Sequence, residues 1–229
     1  DSTPDPAMID MFNTMVDEMF DYGRFILKSK RQNPSEDLLS AIANAKIGDE
    51  KLTDEFLDGS WLLIIFAGND TTRNTMSGGI KLLHENQSQK DLLMNNLDLL
   101  PNFINETVRC VSPVIHMRRT SLEEAEINGQ KIGPYEKISL WYGAANRDPD
   151  IFENPDEFNI LRENADKHLA FGIGRHTCLG KPVALMQLKE FYSQFLTRFE
   201  DFEMNGDWKV APNNFVHAIQ EMPIKFTPE

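Results

Sequence analysis

Cysteine is nearly absent from this chain, with Cys110 and Cys178 the only two in 229 residues. A disulfide-stapled scaffold is thereby excluded. One bridge is the most that could form, and two reduced thiols are the expectation. Basic charge is scarce as well. Lys and Arg total 23 against 36 Asp and Glu, a formal net charge of −13 at pH 7. Such a balance argues against sequence-independent nucleic-acid binding, because phosphates need a basic face; it leaves room for a local basic patch that meets a protein partner. Long apolar runs are missing: the longest, Trp61 to Ala67, is far too short to span a bilayer. No leader segment precedes the first residues, so a soluble cytoplasmic protein with no membrane contact is expected. The opening Asp1 points to a beginning that was processed, trimmed or lost.

What is present suits a folded domain. Apolar residues make up 41% of the chain, enough for a sizeable core. No repeat and no Gly/Ser/Pro-rich linker divides it, so residues 1–229 are expected to form a single domain. Helices dominate the first half. Met8, Met11, Phe12, Met15, Met19, Phe20 and Phe25 fall at helical spacing between about Ala7 and Lys30. Asn33-Pro34-Ser35 then interrupts, with Ser35 the expected cap of a short helix through Leu38 and Leu39. Thr53 begins a third helix, with Asp54 and Glu55 in its first turn, reaching His84. Further helices are predicted near Gln89–Asn95 and Leu99–Val111, the second ended by Pro113. The period then changes. Asn128-Gly129 predicts a tight hairpin turn between Glu124–Ile127 and Lys131–Ile132, and Lys137–Trp141 alternates as another strand. Residues 146–167, rich in Asn, Asp and Pro, read as irregular, and Pro182 opens a last long helix before short closing strands. The class is mainly α with minor β.

The segment richest in chemistry is Phe171-Gly172-Ile173-Gly174-Arg175-His176-Thr177-Cys178-Leu179-Gly180. Glycines there suit tight turns that need positive φ. The loop feeds a helix N-terminus, whose free N–H groups and partial positive charge favour a thiolate at Cys178. A glycine-rich turn around one buried cysteine is the plainer alternative. Zinc is disfavoured, because Cys178 and His176 have no second Cys or His cluster at finger-like spacing. Upstream, Ala67-Gly68-Asn69-Asp70-Thr71-Thr72 makes a poor helix interior. Threonine hydroxyls compete for carbonyls one turn back, so a break is expected there, and on the plainest reading Asp70 and Thr71 merely cap the restarted helix.

The cysteine loop matches Phe-Gly-x-Gly-x-His-x-Cys-x-Gly at every fixed position, and it resembles the haem-thiolate loop of the cytochrome P-450 family. The resemblance extends through the chain in family order and implies the C-terminal part of that fold. It makes Cys178 the ligand to the iron of haem b (iron protoporphyrin IX) and Gly180 part of the same cofactor-binding loop. Phe171 is then the aromatic beside the haem, and His176 holds a propionate. Asp70 relays protons and Thr71 stabilises activated oxygen. Glu106-Thr107-Val108-Arg109 matches the buried Glu-x-x-Arg pair, completed by Arg162. Arg119, with Arg118 as the alternative, binds a propionate, the plainer reading being two solvent-facing arginines. The substrate pocket would be lined by Ala67, Gly68, Val114, Ile115 and Phe215, the last on a C-terminal hairpin at Asn213–His217. The implied reaction is monooxygenation of an apolar small molecule with O2. Electrons would come from a ferredoxin-type donor docking near Arg175, Lys181 and Lys189. Ala-Gly-Asn-Asp-Thr-Thr-Arg-Asn and Arg-Arg-Thr are most similar to the soluble bacterial group acting on sterol side chains and terpenoids. Family members are nearly twice as long, so weakened or absent haem retention and no efficient turnover are expected of this chain alone. A non-catalytic haem-binding remnant or interaction domain is the rival reading, and a peroxide-using or substrate-rearranging relative a third.

Overall fold

Asp5 starts the first helix: its carboxylate accepts the Ala7 amide at 3.0 Å and Pro6 fills the first turn, so α1 runs Pro6–Gln32. The computed structural model describes residues 5–228 and divides into two compact units, Asp1–Gly68 and Asn69–Glu229. In the first unit, α1 is followed by α2 (Leu38–Ala43), a hairpin of β1 (Lys46–Ile47) and β2 (Glu50–Lys51), and the opening turns of α3 (Asp54–Glu85). Its core is Leu27, Ala43, Leu57 and Trp61. The Trp61 indole donates to the Met19 carbonyl at 3.0 Å, and Gly23 makes room for the ring, since a Cβ there would lie 2.5 Å from it. The buried face of α1 is thus Gly23 and Leu27, while Met8, Met11, Phe12, Met15 and Phe25 of the apolar stripe are exposed.

The fold departs from two expectations drawn from the sequence. Asp37, not Ser35, caps α2: its carboxylate accepts the Ser40 amide at 2.7 Å, while the Ser35 hydroxyl donates to Asp37 at 2.6 Å. The charged acceptor wins because Lys30 pairs with it. Lys30 and then Ser35 hold the Asp37 carboxyl well below the usual carboxylate range. The second concerns α3, which is unbroken through residues 67–72, so Asp70 and Thr71 cap nothing. Side chains one turn on reinforce the carbonyls there: Asn74 Nδ2 donates to the Asp70 carbonyl and Thr75 Oγ1 to the Thr71 carbonyl, each at 2.8 Å.

In the second unit the end of α3 is followed by α4 (Gln87–Asn95), α5 (Leu100–Val111), a one-turn α6 (Tyr142–Ala145) and α7 (Lys181–Arg198). Phe103 of α5 meets Tyr192 of α7 edge to face, centroids 4.7 Å apart. The Tyr192 hydroxyl reaches the Thr75 and Met76 carbonyls at 2.9 and 3.0 Å. Gly79 permits that approach, because a Cβ there would sit 2.0 Å from the phenol oxygen. Ile80, Leu83, Leu93, Val108 and Leu188 complete the centre of the core.

The strands form antiparallel pairs: β3 (His116–Thr120) with β6 (Lys137–Trp141), β4 (Ala125–Ile127) with β5 (Gln130–Ile132), β7 (Phe199–Met204) with β10 (Ile224–Pro228), and β8 (Lys209–Val210) with β9 (Ile219–Glu221). The β4–β5 turn is the predicted one, with Asn128 at φ +49° and Gly129 at +79°. The architecture is mainly α with minor β. Among the described residues no helix is long and apolar enough to cross a membrane, and both cysteines are free thiols.

Candidate functional site

Three charged side chains, Glu106, Arg109 and Arg162, fix the frame on which the cysteine loop hangs. The Glu106 carboxylate, fully buried, accepts Arg109 Nε at 2.7 Å and Nη2 at 2.8 Å, Arg162 Nε at 3.1 Å and the Asn159 amide at 3.0 Å. The remaining guanidinium hydrogens reach main-chain carbonyls. Arg109 donates to Asn146, Pro155 and Glu157, and Arg162 to Glu153, Asn154 and Glu157. A segment without regular structure needs its buried carbonyls satisfied, and the arginines supply the donors. Sequence reasoning placed this trio but missed Asn146, also fully buried. Its amide donates to Ser112 Oγ at 2.8 Å and its Oδ1 accepts the Leu169 amide at 2.6 Å, two residues ahead of the loop. Nothing local in the sequence marks Asn146, whose partners lie 34 and 23 residues away.

The loop itself closes with the Cys178 amide donating to the Phe171 carbonyl at 2.8 Å. Gly172 and Gly174 take φ of +69° and +68°, and a Cβ at Gly172 would lie 3.0 Å from the His176 carbonyl. Cys178 is exposed, which removes the alternative of a structural buried cysteine. It stands just before α7, whose N-cap is Gly180, and a Cβ at Gly180 would lie 3.9 Å from Cys178 Sγ. Phe171 is half-buried against His168, centroids 5.6 Å apart, while His176 is exposed in the turn Gly174–His176. The other thiol differs. Burial, and then the Glu106 carboxylate, push Cys110 up to about 11, leaving it protonated and inert.

Asp70 lies on α3 and pairs with Arg73 one turn away, a partner the Asp-x-x-Arg spacing signals. Ala67 and Gly68 precede it at the end of the first unit. In the second unit the segment after α5 and the C-terminal turn are strapped together. Val114 bridges Val216, the Ile115 amide donates to the Phe215 carbonyl at 2.8 Å, and the His217 amide to the Pro113 carbonyl at 2.9 Å. Val114, Ile115 and Phe215 are thus brought side by side. His116, Met117, Arg118, Asn214 and Phe215 line an open hollow of about 370 Å³ beside them. On β3, Arg118 is exposed and Arg119 half-buried on the opposite face. Among the described residues neither guanidinium has a carboxylate partner; Arg119 donates only to the Arg118 carbonyl, at 2.8 Å.

Chemically, the loop presents one soft sulfur donor with large apolar neighbours, Ile173 and Leu179, each 75% exposed. Among the described residues no group of three His, Cys, Asp or Glu could hold a bare metal ion. A lone soft sulfur among apolar neighbours would suit a haem iron, and Arg118 and Arg119 would suit the haem carboxylates. The residues present fit haem.

His168, beside the loop, yields a pH dependence. Burial, and then the Lys181 ammonium, pull its imidazole down from 6.5 to about 4. The fold holds it neutral, whereas the unfolded chain takes up a proton near 6.5. Its contribution is therefore complete above about pH 6.5 and is lost as pH falls toward about 4, on the order of 3 kcal/mol at most. Urea midpoints at neutral pH and at about pH 4.5 should differ less in His168→Gln than in the parent; an unchanged difference would rule out this histidine as the origin.

Residues 81–227 match the family model for cytochrome P-450. Over 211 residues the chain is 36% identical to the steroid C26-monooxygenase of Mycobacterium tuberculosis, covering 91% of this chain and 56% of that protein. It is 34% identical over 215 residues to the linalool 8-monooxygenase of Pseudomonas putida, covering 94% of this chain and 53% of the relative. The solved structure of cytochrome P-450-153 from Novosphingobium aromaticivorans matches with a TM-score of 0.87 and 34% identity, over 97% of this chain and 55% of that one. The chain spans about half the length of the curated relatives it matches.

Proposed function

This chain belongs to the cytochrome P-450 family, and from that premise we propose that it forms the haem-binding part of a monooxygenase acting on apolar, sterol- or terpenoid-like molecules. The observation that carries the reading is the exposed Cys178 thiol, set on a glycine-turned loop closed by its own amide and mounted on the Glu106–Arg109–Arg162 frame. Haem b, when bound, supplies the oxygen activation: one atom of O2 enters a C–H bond of the substrate, and the other leaves as water with two protons and two electrons. Cys178 would be the residue that holds the iron, as a thiolate that supplies electron density to it. Arg119 and His176 hold the propionates, and Phe171 and Gly180 shape the loop around the cofactor. Asp70 delivers protons, released from Arg73 as it does so, and Thr71 positions the oxygen end of the reaction. Val114, Ile115 and Phe215 give the substrate an apolar wall. The names of two relatives, a steroid and a linalool monooxygenase, support that substrate class. A ferredoxin-type protein would supply the electrons at a cationic patch of Arg175, Lys181 and Lys189.

The test is the absorption spectrum of the haem-loaded, reduced protein under carbon monoxide. A strongly red-shifted Soret band is the expected result, followed by oxygenated product when electrons, a terpenoid or sterol, and the half of the fold that this chain does not span are supplied. Absence of the band overturns the reading. The band without product would favour a non-catalytic haem-binding role.

A further inference from the structure

One side chain joins the Asp70–Thr71 segment to the C-terminal hairpin. Asn74 is 2% exposed, on α3 one turn beyond Asp70. Its Nδ2 donates to the Asp70 carbonyl at 2.8 Å, and its Oδ1 accepts the backbone amide of Ile219 at 2.8 Å. Ile219 opens β9, two residues after His217, whose own amide is strapped to the Pro113 carbonyl. The intervening Ala218 carbonyl accepts the Ala211 amide at 2.8 Å, so the stretch from Phe215 to Ile219 has little slack. The Asn213 side chain holds the turn from the other end, accepting the Phe215 amide at 2.7 Å.

From these contacts we infer that Asn74 is a positioning residue, coupling the seating of the substrate-facing turn at Phe215 to the orientation of the Asp70–Thr71 peptide. This rests on the proposed monooxygenase reading. The Asp70 carbonyl belongs to the peptide unit that carries the Thr71 nitrogen, so whatever holds that carbonyl holds the base of the Thr71 side chain. A substrate pressing on Phe215 moves a backbone that is strapped at Ile115, Val114 and Pro113 to the segment after α5 and, through Ile219, to α3 by the Asn74 carboxamide. Burial makes the tie firm, because neither end can exchange Asn74 for water without stranding a polar atom. Proton delivery then stays in register with an occupied pocket, and loss of the tie lets activated oxygen escape as hydrogen peroxide.

The experiment compares Asn74→Ala and Asn74→Asp with the parent in the haem-loaded protein, each first shown to give the thiolate-type carbon monoxide spectrum. A parent without that spectrum refutes the monooxygenase reading itself, a failure separate from this one. Asn74→Ala is expected to speed amide exchange about tenfold in both the peptide spanning 213–221 and that around 70–74. The share of electrons ending in hydrogen peroxide should rise roughly threefold or more with substrate present. Asn74→Asp keeps the acceptor for Ile219 but puts an oxygen against the Asp70 carbonyl. It should leave 213–221 protected and still raise peroxide. Should Asn74→Ala not fold, Asn74→Asp alone decides by the same two readouts. Faster exchange confined to the helix in Asn74→Ala, hairpin exchange in Asn74→Asp as fast as in the alanine variant, or an unchanged peroxide share would each overturn the inference.

Discussion

Cys178→Ala is expected to abolish the red-shifted Soret band of the reduced carbon monoxide complex and to bring product formation down to background. The sulfur is the only soft donor the loop presents, and nothing nearby can replace it. His176 projects from the Gly174–His176 turn two residues earlier, so it cannot take the sulfur's place without rebuilding the glycine turns. The fold should survive, because an exposed thiol contributes little packing; the helical circular dichroism and urea midpoint should stay near the parent values. Cys110→Ala is the matched control. That thiol is half-buried, pushed up to about 11 and in contact with Arg109 Nη2 at 3.2 Å. Its loss should leave the band intact at a modest cost in stability. A band that persists in Cys178→Ala, or disappears in Cys110→Ala, would show that the ligand has been misassigned.

Glu106→Gln should produce the largest loss of stability, about 3–5 kcal/mol, the usual penalty for removing one partner of a buried ion pair. Glu106 and Arg109 are fully buried and Arg162 is 7% exposed. With the carboxylate gone, two guanidinium ions stay in the core, neutralised only by carbonyl dipoles. The glutamine amide also places N–H groups where an arginine needs an acceptor. Because those arginines hold the carbonyls of residues 146–157, the damage should spread outward from the pair. Limited proteolysis should cut first in the irregular segment, and haem uptake should fall although no residue touching the loop has changed. Equilibrium urea unfolding measures the first effect. A loss below about 1 kcal/mol, the range of surface pairs, would mean the trio is far less isolated from water than its burial shows.

Local signals were the most legible. Asn128-Gly129 and the alternation at Lys137–Trp141 act within a few residues, and both appear where expected. The charged trio could be placed only through the family resemblance, since Glu-x-x-Arg on a helix is commonplace and Arg162 lies 56 residues from Glu106. Competition between forces defeated the rest. Helix propensity argued for a break at Gly68–Thr72, yet Asn74 and Thr75 back their own turn and Tyr192 crosses beside them. Ser35 looked like the cap until Lys30 favoured Asp37. Asn146 carries no periodic or spacing signature, and Asn74 is marked only as the end of the Ala-Gly-Asn-Asp-Thr-Thr-Arg-Asn run. Their worth lies in partners up to 145 residues distant, which only the folded chain assembles.

Apart from the Phe152 ring, 5.2 Å from the Arg109 guanidinium, the two arginines grip the irregular segment by its main chain, and that leaves its exposed positions free to drift. Glu153 and Glu157 are held by their carbonyls while their side chains face solvent. Substitution there by any residue that keeps the backbone path leaves the grip untouched. Asn154, at φ +46°, is the exception, where only glycine or another left-handed-tolerant residue would serve. Relatives could therefore rewrite the outer surface of this stretch, and with it whatever the surface meets, without disturbing the cysteine loop that hangs from the same frame.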